Sequence, residues 1–151
     1  MPTSLCAGDI VSKIAYALDK NETIKKKYEN IDGIVAAVHT EGCGCNDGEI
    51  IERLMRTLKN TITHPNVGGA LVVNLGCEKT NYKVVSEYFH GLSSCKKPID
   101  YVSIQKVGGT RNAFETGKDV ILARLNEVNP AAQKLLILSI ILSVLENKDC
   151  Q

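Results

Sequence analysis

Side chains able to bind a metal or move a proton are concentrated in three short segments of the sequence. They are residues 39–45 (HTEGCGC), residues 76–78 (GCE) and residues 108–110 (GGT). Thiolates and imidazoles bind zinc or iron, carboxylates act as general acids or bases, and glycines let backbone N–H groups approach an anion. Each group also has a plain alternative as a small buried residue or a surface loop. The argument therefore depends on whether the three segments meet.

Each segment follows a short apolar run that predicts a buried strand. The runs cover residues 33–38 (GIVAAV), 69–75 (GALVVNL) and 99–107 (IDYVSIQKV). Continuous apolar runs with β-branched residues are typical of strands buried on both faces. Helical spacing predicts helices over residues 9–18, 49–62, 81–92 and 111–128, and a solvated polar face over residues 20–30. Pro130 is predicted to open a last helix, where its missing N–H costs nothing.

This alternation of strands and helices predicts an α/β fold. Strands joined through helices form a parallel sheet with right-handed crossovers, hence an open three-layer sandwich with a mostly parallel sheet, Rossmann-like or flavodoxin-like. With 151 residues, the chain is expected to be a single domain. Ligands of such folds bind outside the carboxyl ends of the strands. The three reactive segments are therefore expected to converge on one edge of the sheet.

Charge and cysteine content narrow the classes of partner. Lys and Arg total 18 against 17 for Asp and Glu, and the net charge is +1, so no field is expected to attract nucleic acid or an anionic membrane. The first residues show no basic stretch followed by a long apolar one, which argues against a secretory signal and favours the cytoplasm. We accordingly expect the six cysteines to be reduced.

The most apolar stretch is residues 135–145 (LLILSIILSVL). It is shorter than the roughly 20 residues that a membrane-spanning helix needs. Apolar side chains on nearly every side predict a buried helix or an interface helix. The stretch favours a homodimer.

The reactive residues keep two interpretations each at this point. His39, Cys43, Cys45 and Cys77 are candidate metal ligands, although C-x-C is not a zinc-ribbon spacing and the ligands would come from different loops. A carboxylate at Glu41 or Glu78 is a candidate acid or base if burial raises its pKa, and otherwise an exposed loop residue. His64 precedes a proline at a helix end, which favours a structural capping role.

Four motifs together resemble one known family. They are G-I-V-A-A-V-H-T-E-G-C-G at 33–44, H-P-N-V-G-G at 64–69, L-V-V-N-L-G-C-E at 71–78 and I-Q-K-V-G-G-T at 104–110. Their order is similar to that in the central domain of the galactarate/altronate dehydratase family, and P-T-S-L-C at 2–6 resembles a further family segment. The resemblance extends to about residue 125. Asn74 departs from it, since the family usually has glycine there.

The resemblance implies a hydro-lyase that forms a 2-keto-3-deoxy acid from a sugar acid by β-elimination of water. It implies a divalent metal, Fe²⁺ first and Mn²⁺ or Zn²⁺ as alternatives, with His39, Cys43, Cys77 and Cys6 as candidate ligands. It further implies substrate contacts at Thr40, Gln105, Gly108, Gly109 and Thr110, and it makes His39 and Glu78 the candidate catalytic residues.

The family pattern also includes segments that the matched motifs do not cover, and these segments suggest both partners and alternative functions. The family carries further segments before and after them, so we expect a homodimer or a complex with a chain that supplies these segments. The alternatives are a non-catalytic binding or assembly domain of the same fold, and a subunit of a related sulfo-lyase.

Overall fold

A computed structural model describes residues 1, 5–41, 47–78, 80, 82–90, 97–131 and 137–138. The helices in these ranges are α1 (Leu5–Asp19), α2 (Glu22–Lys27), α3 (Glu49–Thr63), α4 (Tyr82–His90) and α5 (Thr110–Ala131). The strands are β1 (Gly33–Ile34), β2 (Ala70–Asn74), β3 (Ile99–Ser103) and β4 (Ile137–Leu138). The chain is thus a mixture of helices and strands, as the sequence predicts.

The strands pair in parallel. Strand β2 pairs with β3, with Ala70 opposite Ile99 and Asn74 opposite Ser103. Strand β1 pairs with β4, with Gly33 opposite Ile137. Within the described residues these pairs are two separate two-stranded sheets. The parallel α/β character is confirmed, whereas the open three-layer sandwich stays a prediction.

Strand β2 is the centre of the core, and all five of its residues are buried. Because side chains alternate across a strand, its two faces enter different apolar clusters. Leu71 and Val73 pack in a cluster with residues of α1 and α5. Ala70 and Val72 pack in a second cluster with residues of α3 and α4. Apolar side chains on both faces of β2 thus hold helices on either side of it.

Gly117 lies where α5 packs against α1. A Cβ atom at this position would lie 2.6 Å from Cδ1 of Ile14 and 3.3 Å from Cδ2 of Leu71. A glycine in a helix costs roughly 1 kcal/mol relative to alanine. Here the missing side chain leaves room for the side chains of Ile14 and Leu71, which would have to move to make space for an alanine.

Met1 lies along the edge of β2 that faces away from β3. Its amino group donates a hydrogen bond to the carbonyl of Leu71, and the N–H of Val73 donates to the carbonyl of Met1 at 2.6 Å. Met1 is almost fully buried, and desolvation lowers the pKa of its amino group to about 4. Beside it lies an apolar cavity of about 30 Å³, lined in part by Ile34, Leu71 and Ile121.

Two local predictions differ from the structure in the first third of the chain. Strand β1 covers only Gly33–Ile34, and residues 35–41 form no strand. A strand needs a partner along its whole length, which apolar character alone does not supply. Helix α2 lies within the polar stretch, where the side chain of Asn21 accepts the N–H groups of Thr23 and Ile24. This cap starts a helix that buries no residue and therefore leaves no apolar pattern.

Two further predictions are wrong near the end of the described residues. Pro130 lies inside the last turn of α5 and does not open a new helix. Ile137–Leu138 is strand β4, whereas the apolar pattern predicted a helix over 135–145. An apolar run without periodicity suits a buried strand as well as a buried helix. The rest of that segment lies outside the described residues, and no described helix is both long and apolar enough to span a membrane.

Candidate functional site

The segments that follow β2 and β3 lie side by side. Beyond the strands, the N–H of Ile104 donates to the carbonyl of Asn74 at 2.8 Å, and the N–H of Gln105 donates to the carbonyl of Leu75 at 3.1 Å. The parallel ladder therefore continues into both loops. We call residues 75–78 and 104–110 together the rim. It unites two of the three segments that the sequence singled out.

Glu78 folds back into its own turn. Its Oε1 atom accepts the N–H of Leu75 at 2.7 Å, and its Oε2 atom accepts the N–H of Gly76 at 2.5 Å. The residue is only 3% exposed, whereas the neighbouring Cys77 is exposed and forms no disulfide. The turn thus buries the carboxylate of Glu78 and exposes the thiol of Cys77 to solvent.

Gly76 is required by this turn. Its φ of +125° lies in the region that residues with a side chain rarely adopt. A Cβ atom on it would lie 2.5 Å from Oε1 of Gln105. The Gln105 side chain therefore packs directly against the Gly76 backbone, which brings a predicted substrate contact next to Cys77.

The third segment leads from the rim into α5. Gly108 and Gly109 have φ values of +86° and +118°, and the N–H of Gly109 donates to the carbonyl of Ile104 at 2.8 Å. The Asn112 side chain closes the turn by donating to the carbonyl of Val107 at 2.8 Å. Thr110, the first residue of α5, is exposed. Backbone N–H groups at the start of a helix favour an anion such as a carboxylate.

The first segment is attached to the N-terminus of α1. The N–H of Leu5 donates to the carbonyl of Glu41 at 2.7 Å, which places Cys6 in the helix turn next to this loop. His39 is partly buried, and its Nδ1 atom accepts the N–H of Glu41 at 3.2 Å. In a neutral imidazole this hydrogen bond puts the proton on Nε2. Thr40 is exposed, and Cys43 and Cys45 lie outside the described residues.

The predicted metal ligands suit iron or zinc by chemistry. Imidazole and thiolate are the donors that these metals take in proteins, and Cys6 and Cys77 are both exposed and free of disulfides. In the part of the chain that the structure describes, no three His, Cys, Asp or Glu side chains form a group that could hold a metal. The metal site therefore stays a prediction, with Cys43 outside the described ranges.

Some site features were not evident from the sequence. Asn74 and Thr80 are buried polar residues near Glu78, and Asn112 closes the glycine turn. The signal for the Glu78 turn is local, because a carboxyl side chain shortly after a glycine can accept nearby backbone N–H groups.

The H-P-N segment lies at the other end of β2. The Nδ1 atom of His64 accepts the N–H of Asn66 at 3.2 Å, which orders the turn after α3. The Nζ atom of Lys97 donates to the carbonyls of Ile62 and Thr63 at the end of α3, at 3.3 and 3.1 Å. A structural role for His64 is therefore supported.

Comparison with known proteins identifies the family in which these motifs occur. The family model for D-galactarate dehydratase/altronate hydrolase, second domain, matches residues 1–129. Altronate dehydratase from Escherichia coli (strain K12) is 34% identical over 90 residues, which are 58% of this chain and 17% of that protein. Altronate dehydratase from Bacillus subtilis (strain 168) is 27% identical over 133 residues, which are 88% of this chain and 24% of that protein. No solved structure matches the chain.

The match covers the rim, the His39 loop and all of α1 to α4. The chain spans less than a quarter of the length of both curated relatives, 17% of one and 24% of the other. The resemblance seen in the motifs is thereby confirmed: the chain belongs to the galactarate dehydratase/altronate hydrolase family, as its second domain.

Proposed function

We propose that this domain supplies part of the active site of a sugar-acid dehydratase that removes water from altronate, galactarate or a close relative. The observation that carries the proposal is the rim. There, the G-C-E turn packs directly against the glutamine of the Q-x-x-G-G-T motif through Gly76 and Gln105. The relatives that share these motifs are altronate dehydratases by name.

The proposed reaction begins with removal of the proton next to a carboxylate. The neighbouring hydroxyl group then leaves as water, and the enol product becomes a 2-keto-3-deoxy acid. A divalent metal at this site supplies a Lewis acid for the negative charge that develops on the carboxylate. The residues proposed to hold it are His39, Cys43, Cys77 and Cys6, with Fe²⁺ as the first candidate and Mn²⁺ or Zn²⁺ as alternatives.

The chain's own polar groups suit the binding of a hydroxy acid. The Gln105 amide, the Thr110 hydroxyl and the first N–H groups of α5 are proposed to hold the substrate carboxylate, because they combine neutral donors with a helix N-terminus. Gly108 and Gly109 are proposed to contact the substrate through their backbone, which no side chain covers, since their own N–H groups already donate to Gln105 and Ile104. Thr40 is proposed to contact a substrate hydroxyl. His39 is proposed either as a metal ligand or as the base, and in both roles its Nδ1 atom must exchange the N–H of Glu41 for the metal or the proton.

A second polypeptide is proposed to complete the site. The region that matches the two curated relatives makes up 17% and 24% of their length, and the proposal assigns further parts of the site to the other segments that these proteins carry. The second polypeptide would be either another copy of this chain or a chain that carries the remaining family segments. Homodimerisation through the apolar stretch 135–145 is testable by measuring molecular mass in solution.

Anaerobic purification followed by metal analysis and a keto-acid assay tests the proposal. We expect bound Fe²⁺, Mn²⁺ or Zn²⁺, and turnover of altronate or galactarate when the second polypeptide is present. Cys77→Ser should lower the metal content, whereas the matched control Cys150→Ser should leave it unchanged. Protein that binds none of the three metals, and whose altronate binding is unchanged by Cys77→Ser, would contradict the metal site.

A further inference from the structure

We infer that Glu78 is a positioning residue that sets how Cys77 and Gln105 are presented at the rim. The inference deepens the proposed function, because both residues belong to the proposed site. It also assigns Glu78 a role other than proton transfer. The steps of the argument are the hydrogen bonds of its carboxylate, the conformation of Gly76, and the contact of Gly76 with Gln105.

The carboxylate of Glu78 holds two successive peptide groups. Its two oxygens accept the N–H groups of Leu75 and Gly76, at 2.7 and 2.5 Å. Two adjacent N–H groups that point to one carboxylate fix the orientation of both peptide planes. The backbone just before Cys77 is thereby locked at the point where it leaves β2.

The locked turn fixes the position of Gln105. Leu75 is held on both sides, since its N–H donates to Glu78 and its carbonyl accepts the N–H of Gln105 at 3.1 Å. The Gln105 side chain packs where a Cβ atom of Gly76 would lie, with its Cδ and Cβ atoms 3.0 and 3.2 Å from that point. A change in the Gly76 conformation must therefore move the Gln105 amide.

The groups that can contact a ligand are exposed to solvent, whereas the group that holds them in position is buried. Cys77 and Gln105 are exposed at the rim, whereas Glu78 is 3% exposed beneath them. A substrate that reaches the rim meets the thiol and the amide first. A general base must reach the proton that it removes, at about 3 Å or through one water. Glu78 therefore acts through its neighbours.

The test uses local probes that do not require turnover. Glu78→Gln, Glu78→Asp and Glu78→Ala are compared with Glu87→Gln, the same amide substitution at an exposed position of α4. Alkylation of Cys77 by iodoacetamide is measured relative to Cys6 in the same molecule. Tryptic peptides 60–79 and 1–13 each contain one of these cysteines and no other. Hydrogen exchange is followed at the amides of Leu75, Gly76 and Gln105.

The expected effects are graded. Glu78→Ala should change the ratio of Cys77 to Cys6 alkylation and raise exchange at Leu75 and Gly76 by about tenfold or more, because two hydrogen bonds to a charged acceptor are lost. Glu78→Gln should be partly rescued, since its amide oxygen still accepts one N–H. Glu78→Asp should also be rescued only in part, because the shorter side chain cannot reach both N–H groups. Core amides at Val72 and Leu125 should keep their exchange rates in the Gln variant.

Each other outcome counts against the inference. If Glu78→Gln leaves the alkylation ratio and the exchange of Leu75 and Gly76 the same as in Glu87→Gln, Glu78 does not position the turn. If exchange in the Glu78→Gln variant rises equally at Val72 and Leu125, the residue supports overall stability only. Failure of the keto-acid assay with these local effects intact would overturn the proposed reaction and leave the positioning role standing.

Discussion

Two ionisable groups are buried next to β2, and they differ in the hydrogen bonds that they form. The amino group of Met1, whose residue is 1% exposed, donates to one carbonyl and has a pKa lowered to about 4 by desolvation. The carboxylate of Glu78, whose residue is 3% exposed, accepts two backbone N–H groups. One lies beside an apolar cavity, and the other lies beneath the rim.

The difference shows that the two regions beside β2 have different roles: one packs apolar groups, and the other holds polar groups in place. Burial without charged or multiple partners disfavours the charged form, so the Met1 amine is neutral at neutral pH. Burial with two donors instead gives a polar group a fixed geometry. A lone charge is thus disfavoured on the apolar side of β2, where the charged Asp100 and Arg124 are paired with each other, whereas the carboxyl end of the strand organises polar groups where a ligand can bind.

The largest expected effect concerns the Met1 amine and pH. Its pKa falls from 8.0 to about 4 on folding, so the unfolded chain binds the additional proton between these values. Stability should therefore rise with pH from about 4 to 8, by up to about 1.4 kcal/mol per unit and on the order of 5 kcal/mol in all. Urea unfolding at successive pH values measures this.

The control for this effect is the N-acetylated chain. Its amide N–H can still donate to Leu71 but carries no charge. The difference in stability between the free and acetylated chains should change with pH between about 4 and 8 and become constant above pH 8. A constant difference across the range would show that Met1 does not titrate in its buried position.

The second largest expected effect is the loss of stability when Glu78, the other buried ionisable residue, is substituted. Glu78→Ala leaves the N–H groups of Leu75 and Gly76 without their acceptor and should lower the free energy of unfolding by about 2–4 kcal/mol. Glu87→Ala, at an exposed helix position, should change it by less than about 0.5 kcal/mol. Equal effects of the two substitutions in urea unfolding would remove the contrast between Met1 and Glu78.

A third prediction separates backbone strain from side-chain contact in the Glu78 turn. Gly76→Ala introduces a side chain at φ +125° and 2.5 Å from Oε1 of Gln105, whereas Gly48→Ala introduces one at φ +96° with nothing within 4 Å. The first should cost about 2–3 kcal/mol and the second about 1 kcal/mol. Thermal unfolding of both variants measures the difference, and Gln105→Ala should reduce the cost of Gly76→Ala.

The smallest effect concerns an ion pair that lines the Met1 cavity. The Nε and Nη2 atoms of Arg124 donate to both carboxylate oxygens of Asp100 at 2.6 and 2.8 Å, and the hydrogen bonds of Asp100 and Glu127 raise the pKa of Arg124. Asp100→Asn should cost about 1 kcal/mol or less, because the pair is partly exposed, and the loss should shrink in high salt. Asp9→Asn, which breaks an exposed helix pair with Lys13, should cost less still. A larger loss for Asp9→Asn would contradict the ranking.

The elements with strong local patterns were predictable from the sequence. Helix α3 and strand β2 lie within one residue of the predicted bounds at each end, because the helical spacing and the continuous apolar run need no tertiary information. Strand β1 is shorter than predicted because its pairing depends on a distant partner. Helix α2 depends on the Asn21 cap and was missed.

The candidate site was predictable in its residues but only partly in its geometry. The strand-end rule predicted that residues 39–45, 76–78 and 108–110 meet at one edge. The structure instead brings Leu75 and Gly76 against Gln105, which the prediction placed inside the third strand, because β3 ends at Ser103 and the parallel ladder continues past it. The inward orientation of Glu78 was not predictable, since it depends on the N–H groups of a turn whose Gly76 has a positive φ. The metal ligands and the substrate contacts stay predictions.

The close packing at Gly117 links the position of α1 to that of α5. Helix α1 carries Leu5 and Cys6 at one end and is tied there to Glu41, while its middle rests on α5 at Gly117. A side chain at position 117 must displace the Cδ1 atom of Ile14 in the middle of α1, and any shift of the helix that results would carry the His39 loop with it. Natural variation at this contact, distant from the chemistry, could therefore tune the spacing of the loop that holds His39 without altering a single reactive residue.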